Sequence, residues 1–187
     1  MKKNIAIFAS GGGSNAEVII NYFEKSTTVT IALIVTNNKN AFVIERAINH
    51  TIPYFVHSNA DLENGILEDL LVKKGIDFIV LAGYLKKINR SLINNFPNKI
   101  VNIHPALLPK FGGKGMYGMN VHLAVAASGE KETGITIHYV NENYDEGSII
   151  EQHICAVDND LSAEQIQKRV LKLEHAYFAP CIERIIE

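Results

Sequence analysis

Cysteine is nearly absent from this chain of 187 residues, and the two that occur, Cys155 and Cys181, are far apart and in no C-x-x-C spacing. That argues against a disulfide framework or a thiol redox motif. It suits a reducing cytoplasm in which each thiol is a small core residue. Excess charge of either sign is also missing, since 18 basic and 20 acidic residues leave a formal net charge of −2. With no basic stripe interleaved with aromatics, nucleic acid is not an expected partner. No apolar run is long enough to span a membrane, so none is expected as a partner either. The run after Met1-Lys2-Lys3 breaks at Ser10 and the glycines behind it, and reads as a first strand rather than a signal peptide. His50, His57, His122, His153 and His175 show no ligand spacing with Cys, Asp or Glu, so no metal is expected. Repeats, low-complexity tracts and Pro-, Gly- or Ser-rich linkers are lacking, which leaves one domain, 1–187, with a sizeable core.

What is present is an alternation of strand and helix signals. Strands are predicted at Asn4–Ala9, Val29–Val35, Tyr54–Val56 and Asp77–Ala82, and Lys99-Ile100-Val101 reads as the end of another. Helices are predicted at Ala16–Lys25, Ala41–Asn49, Asp61–Lys74 (with Leu62, Ile66, Leu70 and Leu71 inward) and Asn89–Phe96. Unalternating apolar strands belong to parallel sheets covered on both faces. Further on come a helix at Gly118–Ser128 and two strands, Gly134–Val140 and Gly147–Val157, expected to be antiparallel. Gly134–Val140 alternates as a half-exposed strand would. A long helix runs from Asp160 to Arg184, with Ser162 and Gln165 at capping-box spacing. The fold class is therefore α/β: an open sheet, parallel in its first half and mixed in its second, with helices on both faces.

The chain is organised around Asn102-Ile103-His104-Pro105-Ala106-Leu107-Leu108-Pro109-Lys110-Phe111-Gly112-Gly113. Alternation places Asn102 and His104 on one face of a strand, and the two prolines end the strand and stiffen its exit. An amide beside an imidazole at a strand's carboxyl end suits polarising a carbonyl and moving a proton. The same residues also fit a loop cap and a satisfied, half-buried histidine.

Gly11-Gly12-Gly13-Ser14-Asn15 lies between a strand and a helix. Glycines let backbone approach a ligand, and a helix amino terminus attracts anions, so a phosphate is the expected occupant. Gly11, Gly13 and Ala16 formally fit a dinucleotide pattern, but the second strand ends in Val35-Thr36-Asn37-Asn38 with no acidic residue for a ribose. A Walker loop is excluded because no Gly-Lys-Ser/Thr follows, and a tight turn with a Ser cap remains open. Asp145-Glu146-Gly147 reads either as a turn or as a carboxylate returning to hold His104 protonated and oriented. His138, on the strand before it, either lines the pocket or is a partly exposed strand residue.

Taken in order, Ser10 to Asn15, Leu81-Ala82-Gly83-Tyr84-Leu85, Asn102 to Gly113, Thr133 to Ile150, Arg169-Val170 and Glu174-His175-Ala176 resemble the folate-dependent glycinamide ribonucleotide formyltransferases. The likeness covers essentially the whole chain. Asn-x-His-Pro-x-Leu-Leu-Pro with a later Asp is shared by several formyl transferases and hydrolases, and the Gly-Ser-Asn loop narrows the choice. The resemblance implies formyl transfer from 10-formyltetrahydrofolate to the amine of glycinamide ribonucleotide, a step of purine biosynthesis. The chain is expected in the cytoplasm, and its sequence leaves monomer or homodimer open. It implies that Asn102, His104 and Asp145 are catalytic, and that Gly12, Gly13, Ser14 and Asn15 bind the substrate phosphate. It implies that Glu174 meets the substrate's amine or amide end. The folate is implied to lie on Leu85, Lys86, Lys87 and Ile88, on Asn102, and on Asn141, Glu142, Asn143, Tyr144 and Asp145. His138 and Pro105 are further pocket candidates. Lys87 departs from a position often apolar in the family, and no arginine occurs among Ser58 to Ile66. The folate tail is then left to Lys86 or Lys87.

Rival readings are a formyltetrahydrofolate hydrolase, an initiator-tRNA formyltransferase, a phosphate or nucleotide sensor without catalysis, and an NAD-dependent dehydrogenase. The hydrolase reading expects an added amino-terminal regulatory domain. The tRNA reading expects a basic surface and usually a further carboxyl-terminal domain. The dehydrogenase reading lacks its acidic residue.

Overall fold

The computed structural model describes residues 2–158 and 160–186. Met1 of the Met1-Lys2-Lys3 start, Asn159 and Glu187 lie outside them. The elements in order are β1 (Lys3–Phe8), α1 (Ser14–Phe23), β2 (Val29–Thr36), α2 (Val43–Asn49), β3 (Tyr54–Val56), α3 (Asn59–Glu63) and α4 (Ile66–Lys73). They continue with β4 (Phe78–Leu81), α5 (Arg90–Asn95), β5 (Ile100–His104), α6 (Met119–Ser128), β6 (Glu132–Tyr139), β7 (Ile149–Ala156) and α7 (Ala163–Ile186). The strands form a mixed, seven-stranded sheet ordered β3-β2-β1-β4-β5-β6-β7. Contacts divide the chain into two compact units, one running to Val101 and taking in Ile186, the other Asn102–Ile185.

In the first unit, β1 pairs in parallel with β2 and β4, and β2 with β3. The register sets Ile5 opposite Ile31 and Ile7 opposite Val80. Ile5, Ile7 and Phe8 on β1, Leu33 and Ile34 on β2, and Ile79 on β4 are fully buried. Consecutive residues can all be buried because side chains leave both faces of the sheet into apolar cover. The predicted helix Asp61–Lys74 is instead two helices, α3 and α4, divided at Asn64-Gly65. Gly65 takes φ 74, a left-handed conformation that ends one helix and resets the phase of the next. Ile66 therefore lies 47% exposed while Leu67 and Leu71 are buried. Ser58 and Asp61 form a capping box that starts α3 two residues before the predicted helix.

In the second unit, β6 and β7 are antiparallel as expected, with Gly134 opposite Ile154 and a register shift between Ile137 and His138. The expectation of a half-exposed β6 fails, because Thr133 through His138 are all buried. Alternation of polar and apolar residues signalled two different kinds of burial, since Thr136 and His138 find hydrogen-bond partners on their face. Helix α7 opens as predicted, with the Ser162 amide donating to Gln165 Oε1 at 2.8 Å and the Gln165 amide donating to Ser162 Oγ at 3.3 Å. No helix among the described residues is long and apolar enough to cross a membrane.

Candidate active site

Strand β5 carries Asn102 and His104 two residues apart, so both project from one face, as the sequence predicts. The loop between β6 and β7 brings Asp145 to His104, with Asp145 Oδ2 3.6 Å from His104 Nδ1. The same carboxylate lies 3.7 Å from His138 Nε2 through its other oxygen and accepts the Gly113 amide at 2.9 Å. Asn102, His104, His138 and Asp145 thus form one cluster, with the two imidazoles buried.

Hydrogen bonds fix the tautomers. His138 Nδ1 bonds the Tyr139 carbonyl at 2.8 Å, so that nitrogen carries a proton and donates. In the neutral ring Nε2 is then an acceptor, and it takes one hydrogen of the Asn102 amide at 3.1 Å. This contact sets which way the Asn102 amide faces and leaves its second N–H for another acceptor. His104 Nε2 donates to the Phe111 carbonyl at 2.8 Å, which leaves Nδ1 as the basic nitrogen beside Asp145. Phe111 and Asp145 both adopt left-handed φ, 57° in each case, a conformation uncommon for residues other than glycine.

Burial pushes the His104 pKa below its ordinary value, and the Asp145 charge and the Phe111 carbonyl only partly offset it, while His138 adds to the lowering. The expectation that Asp145 holds His104 protonated is thereby corrected. The sign of Asp145's effect is as expected, but desolvation outweighs it. Asp145 feels burial in the opposite direction, upward. The His138 and His104 rings, in their protonated forms, and the Gly113 amide outweigh that and hold its pKa below the ordinary 3.8, so it stays ionised. His122 on α6 is buried too, and its pKa is pushed down to about 4 by burial, with His104 contributing.

Pro105 follows the strand and is half-buried. The exit loop is held by Thr136, whose hydroxyl donates to the Ala106 carbonyl at 2.7 Å and accepts the Leu108 amide at 3.0 Å. Gln152 Nε2 bonds both Thr136 Oγ1 and the Leu108 carbonyl. The sequence reading missed Thr136 and Gln152. Their signal was a polar side chain facing inward on each of two neighbouring strands, which period-2 reading takes for a wet face. Asn141 to Tyr144 are exposed, and the turn is stitched by Asn143 N to Asn141 Oδ1 at 2.9 Å and Asn143 Nδ2 to Glu146 Oε2 at 2.8 Å. Glu174 is half-buried on α7.

In the first unit, Gly13 is the residue before α1 at φ 66, and no side chain caps the helix, so the Ser-capped turn is not realised. A Cβ on Gly13 would stand 2.6 Å from Val43 Cγ2, whereas Gly11 and Gly12 face open space. Asn15 is buried and Ser14 half-buried. Ser10 ties the start of this loop to the segment after β4. Its Oγ accepts the Leu85 amide at 2.9 Å and donates to Asn37 Oδ1 at 2.6 Å, and its amide donates to the Gly83 carbonyl. Leu85, Lys86 and Lys87 are exposed there, and Ile88 is buried. Among the described residues no group of three or more His, Cys, Asp or Glu is arranged to hold a metal ion.

A buried imidazole, an aligned carboxamide and an ionised carboxylate on one strand-end and its facing loop are groups able to donate to a developing oxyanion and to move a proton. Residues 3–182 match the family model described as formyl transferase, and the chain belongs to that family. Within it, the chain is similar to phosphoribosylglycinamide formyltransferases. It is 44% identical to the chloroplastic enzyme of Arabidopsis thaliana over 100% of this chain and 66% of the relative. It is 37% identical to the Bacillus subtilis enzyme over 98% of this chain and 95% of the relative. The chain thus spans just under two thirds of the Arabidopsis relative and nearly all of the Bacillus one. The solved structure of glycinamide ribonucleotide transformylase 1 from Geobacillus kaustophilus superposes with a TM-score of 0.90 at 34% identity, covering 100% of both chains.

Proposed function

We propose that this chain transfers a formyl group from 10-formyltetrahydrofolate to the amine of glycinamide ribonucleotide, acting as one formyltransferase domain in the cytoplasm. The observation that carries the reading is the Asn102–His104–Asp145 cluster, aligned through His138 and Phe111, on a chain of the formyl transferase family. The donor set fits the substrate chemistry. A formamide oxygen that becomes anionic needs a hydrogen-bond donor, and the second Asn102 N–H is a donor of that kind.

In the reaction the amine attacks the formyl carbon, the bond to the folate nitrogen breaks, and one proton passes from the incoming nitrogen to the leaving one. Neutral His104 is suited to accept that proton at Nδ1, and Asp145 stabilises the imidazolium so formed. Gly12, Gly13, Ser14 and Asn15 bind the ribonucleotide phosphate through backbone N–H groups, with the amino terminus of α1 adding its dipole. That binding, remote from the chemistry, helps position the amine. Glu174 takes the amine or amide end of the ribonucleotide. Leu85, Lys86, Lys87, Ile88 and the turn Asn141 to Asp145 hold the folate.

The test is the absorbance change of 10-formyltetrahydrofolate with purified protein, with and without glycinamide ribonucleotide. Turnover that requires the amine supports the transferase. Turnover without it makes the chain a hydrolase, and none under either condition makes it a binding protein.

A further inference from the structure

The glycine loop is gripped from one side by α2. The Val43 amide donates to the Gly11 carbonyl at 3.1 Å, and Arg46 Nε donates to the Gly12 carbonyl at 2.8 Å. In a trans peptide the carbonyl of one residue and the N–H of the next point in opposite directions. With both carbonyls drawn to α2, the N–H groups of Gly12 and Gly13 are turned away from it, and successive N–H groups held in this way form an anion-binding nest. Arg46 does a second thing. Its Nη1 pairs with Glu17 Oε2 at 2.9 Å, and His50 Nε2 lies 2.9 Å from the other oxygen of that carboxylate. Glu17 sits in the first turn of α1, where a bare carboxylate would repel a phosphate at the helix amino terminus. The guanidinium also lies over the Phe42 ring, 5.1 Å from its centre, so the side chain is held in place as well as charged.

We propose that Arg46 is the positioning residue of the phosphate loop: it turns the Gly12–Gly13 peptide so that its N–H faces the ligand, and it cancels the charge of Glu17. The proposal rests on the reading that this loop binds the substrate's phosphate. Sequence alone shows Arg46 as one basic residue in a short surface helix.

The experiment measures kcat/KM for glycinamide ribonucleotide and for the same ribonucleoside without its phosphate, in the wild type and in Arg46→Ala, Arg46→Lys and Arg46→Ala/Glu17→Gln. The wild type should prefer the phosphorylated substrate strongly. Arg46→Ala should cut that preference by about tenfold or more, since a charge-assisted hydrogen bond and a charge balance are both lost. KM for the folate should stay within about twofold, because the folate makes no use of the loop. Arg46→Lys keeps the charge but not the planar fork, and should fall between. Adding Glu17→Gln to Arg46→Ala should restore part of the preference. If the wild type shows no phosphate preference, the phosphate-loop reading fails. If the wild type shows it and Arg46→Ala keeps it, the loop reading stands and the Arg46 proposal is overturned. If the double variant recovers nothing over Arg46→Ala, the charge-cancelling half is overturned. Should Arg46→Ala not fold, Arg46→Lys decides by the same ratio, an unchanged preference and KM overturning the role of the fork.

Discussion

His104 donates its Nε2–H to the carbonyl of Phe111, 2.8 Å away, and so shows Asp145 a nitrogen without a proton. The ring is buried, its pKa lies below the ordinary 6.5, and it is neutral at neutral pH. An imidazolium in this site is therefore a species that forms as the proton is transferred, with Asp145 as its counter-charge.

Asp145→Asn removes that counter-charge and keeps the shape. The His104 pKa should fall further on losing an opposite charge at close range. Loss in kcat should be on the order of a hundredfold, with substrate binding little changed, because the missing interaction forms during the reaction. In the wild type the rate should drop on the acid side, below the ordinary histidine pKa, as His104 takes a proton and ceases to be a base. Histidine NMR titrations and pH–rate profiles of both proteins check this. A His104 titration untouched by Asp145→Asn, with activity abolished, would make the carboxylate itself the proton carrier.

His138→Phe removes the acceptor that orients Asn102. The ring keeps its volume, but the Asn102 amide is free to turn its oxygen toward the oxyanion position. A fall in kcat of about tenfold or more is expected, with KM values nearly constant. Equal kcat in variant and wild type would show that Asn102 is oriented by other means.

Gly12 and Gly13 should separate binding from folding. A Cβ on Gly12 meets nothing within 4 Å, so Gly12→Ala should leave the melting temperature unchanged and raise KM for the ribonucleotide. At Gly13 a Cβ collides with Val43 and the backbone is left-handed, so Gly13→Ala should cost about 2–4 kcal/mol of stability. Thermal melts beside kinetics distinguish the two, and a Gly13→Ala protein as stable as the wild type would contradict the packing account.

His122 sets part of the acid limit of the fold. Its folded pKa of about 4 lies below the ordinary 6.5, so the unfolded chain binds its proton first as pH falls. The stability associated with the neutral ring is complete above pH 6.5 and is lost progressively between 6.5 and about 4, by up to about 3 kcal/mol. Asp145, lowered instead, loses its contribution only in stronger acid, as pH falls below the ordinary 3.8 and through its folded value. Denaturant melts of the wild type and His122→Gln at pH 7 and pH 5 should converge as the pH drops. Parallel loss in both would assign the acid limit to other groups.

Much of this was legible in the sequence where side-chain chemistry and period carry the information. Alternation set Asn102 and His104 on one face, and the Asp-x-Gly turn at Asp145 does return to them. Backbone partners leave no such mark. The Phe111 carbonyl that fixes the His104 tautomer, and the Gly12 carbonyl bound by Arg46, belong to residues whose side chains say nothing of these contacts. The break at Gly65 hid inside a helical period because one glycine is compatible with either a tolerated helix residue or a stop. The direction of the His104 pKa is not legible in the sequence, because charge proximity follows from motif order, whereas desolvation depends on packing that appears only once the strands are assembled.

The most direct test of formyl transfer by Asn102, His104 and Asp145 follows the formyl carbon itself. With 10-formyltetrahydrofolate labelled with carbon-13 in the formyl group and glycinamide ribonucleotide present, carbon NMR should show the label moving into a formamide on the ribonucleotide. The transfer should be slowed by orders of magnitude in His104→Gln. Label appearing as free formate, or the same transfer rate in His104→Gln, would contradict the account.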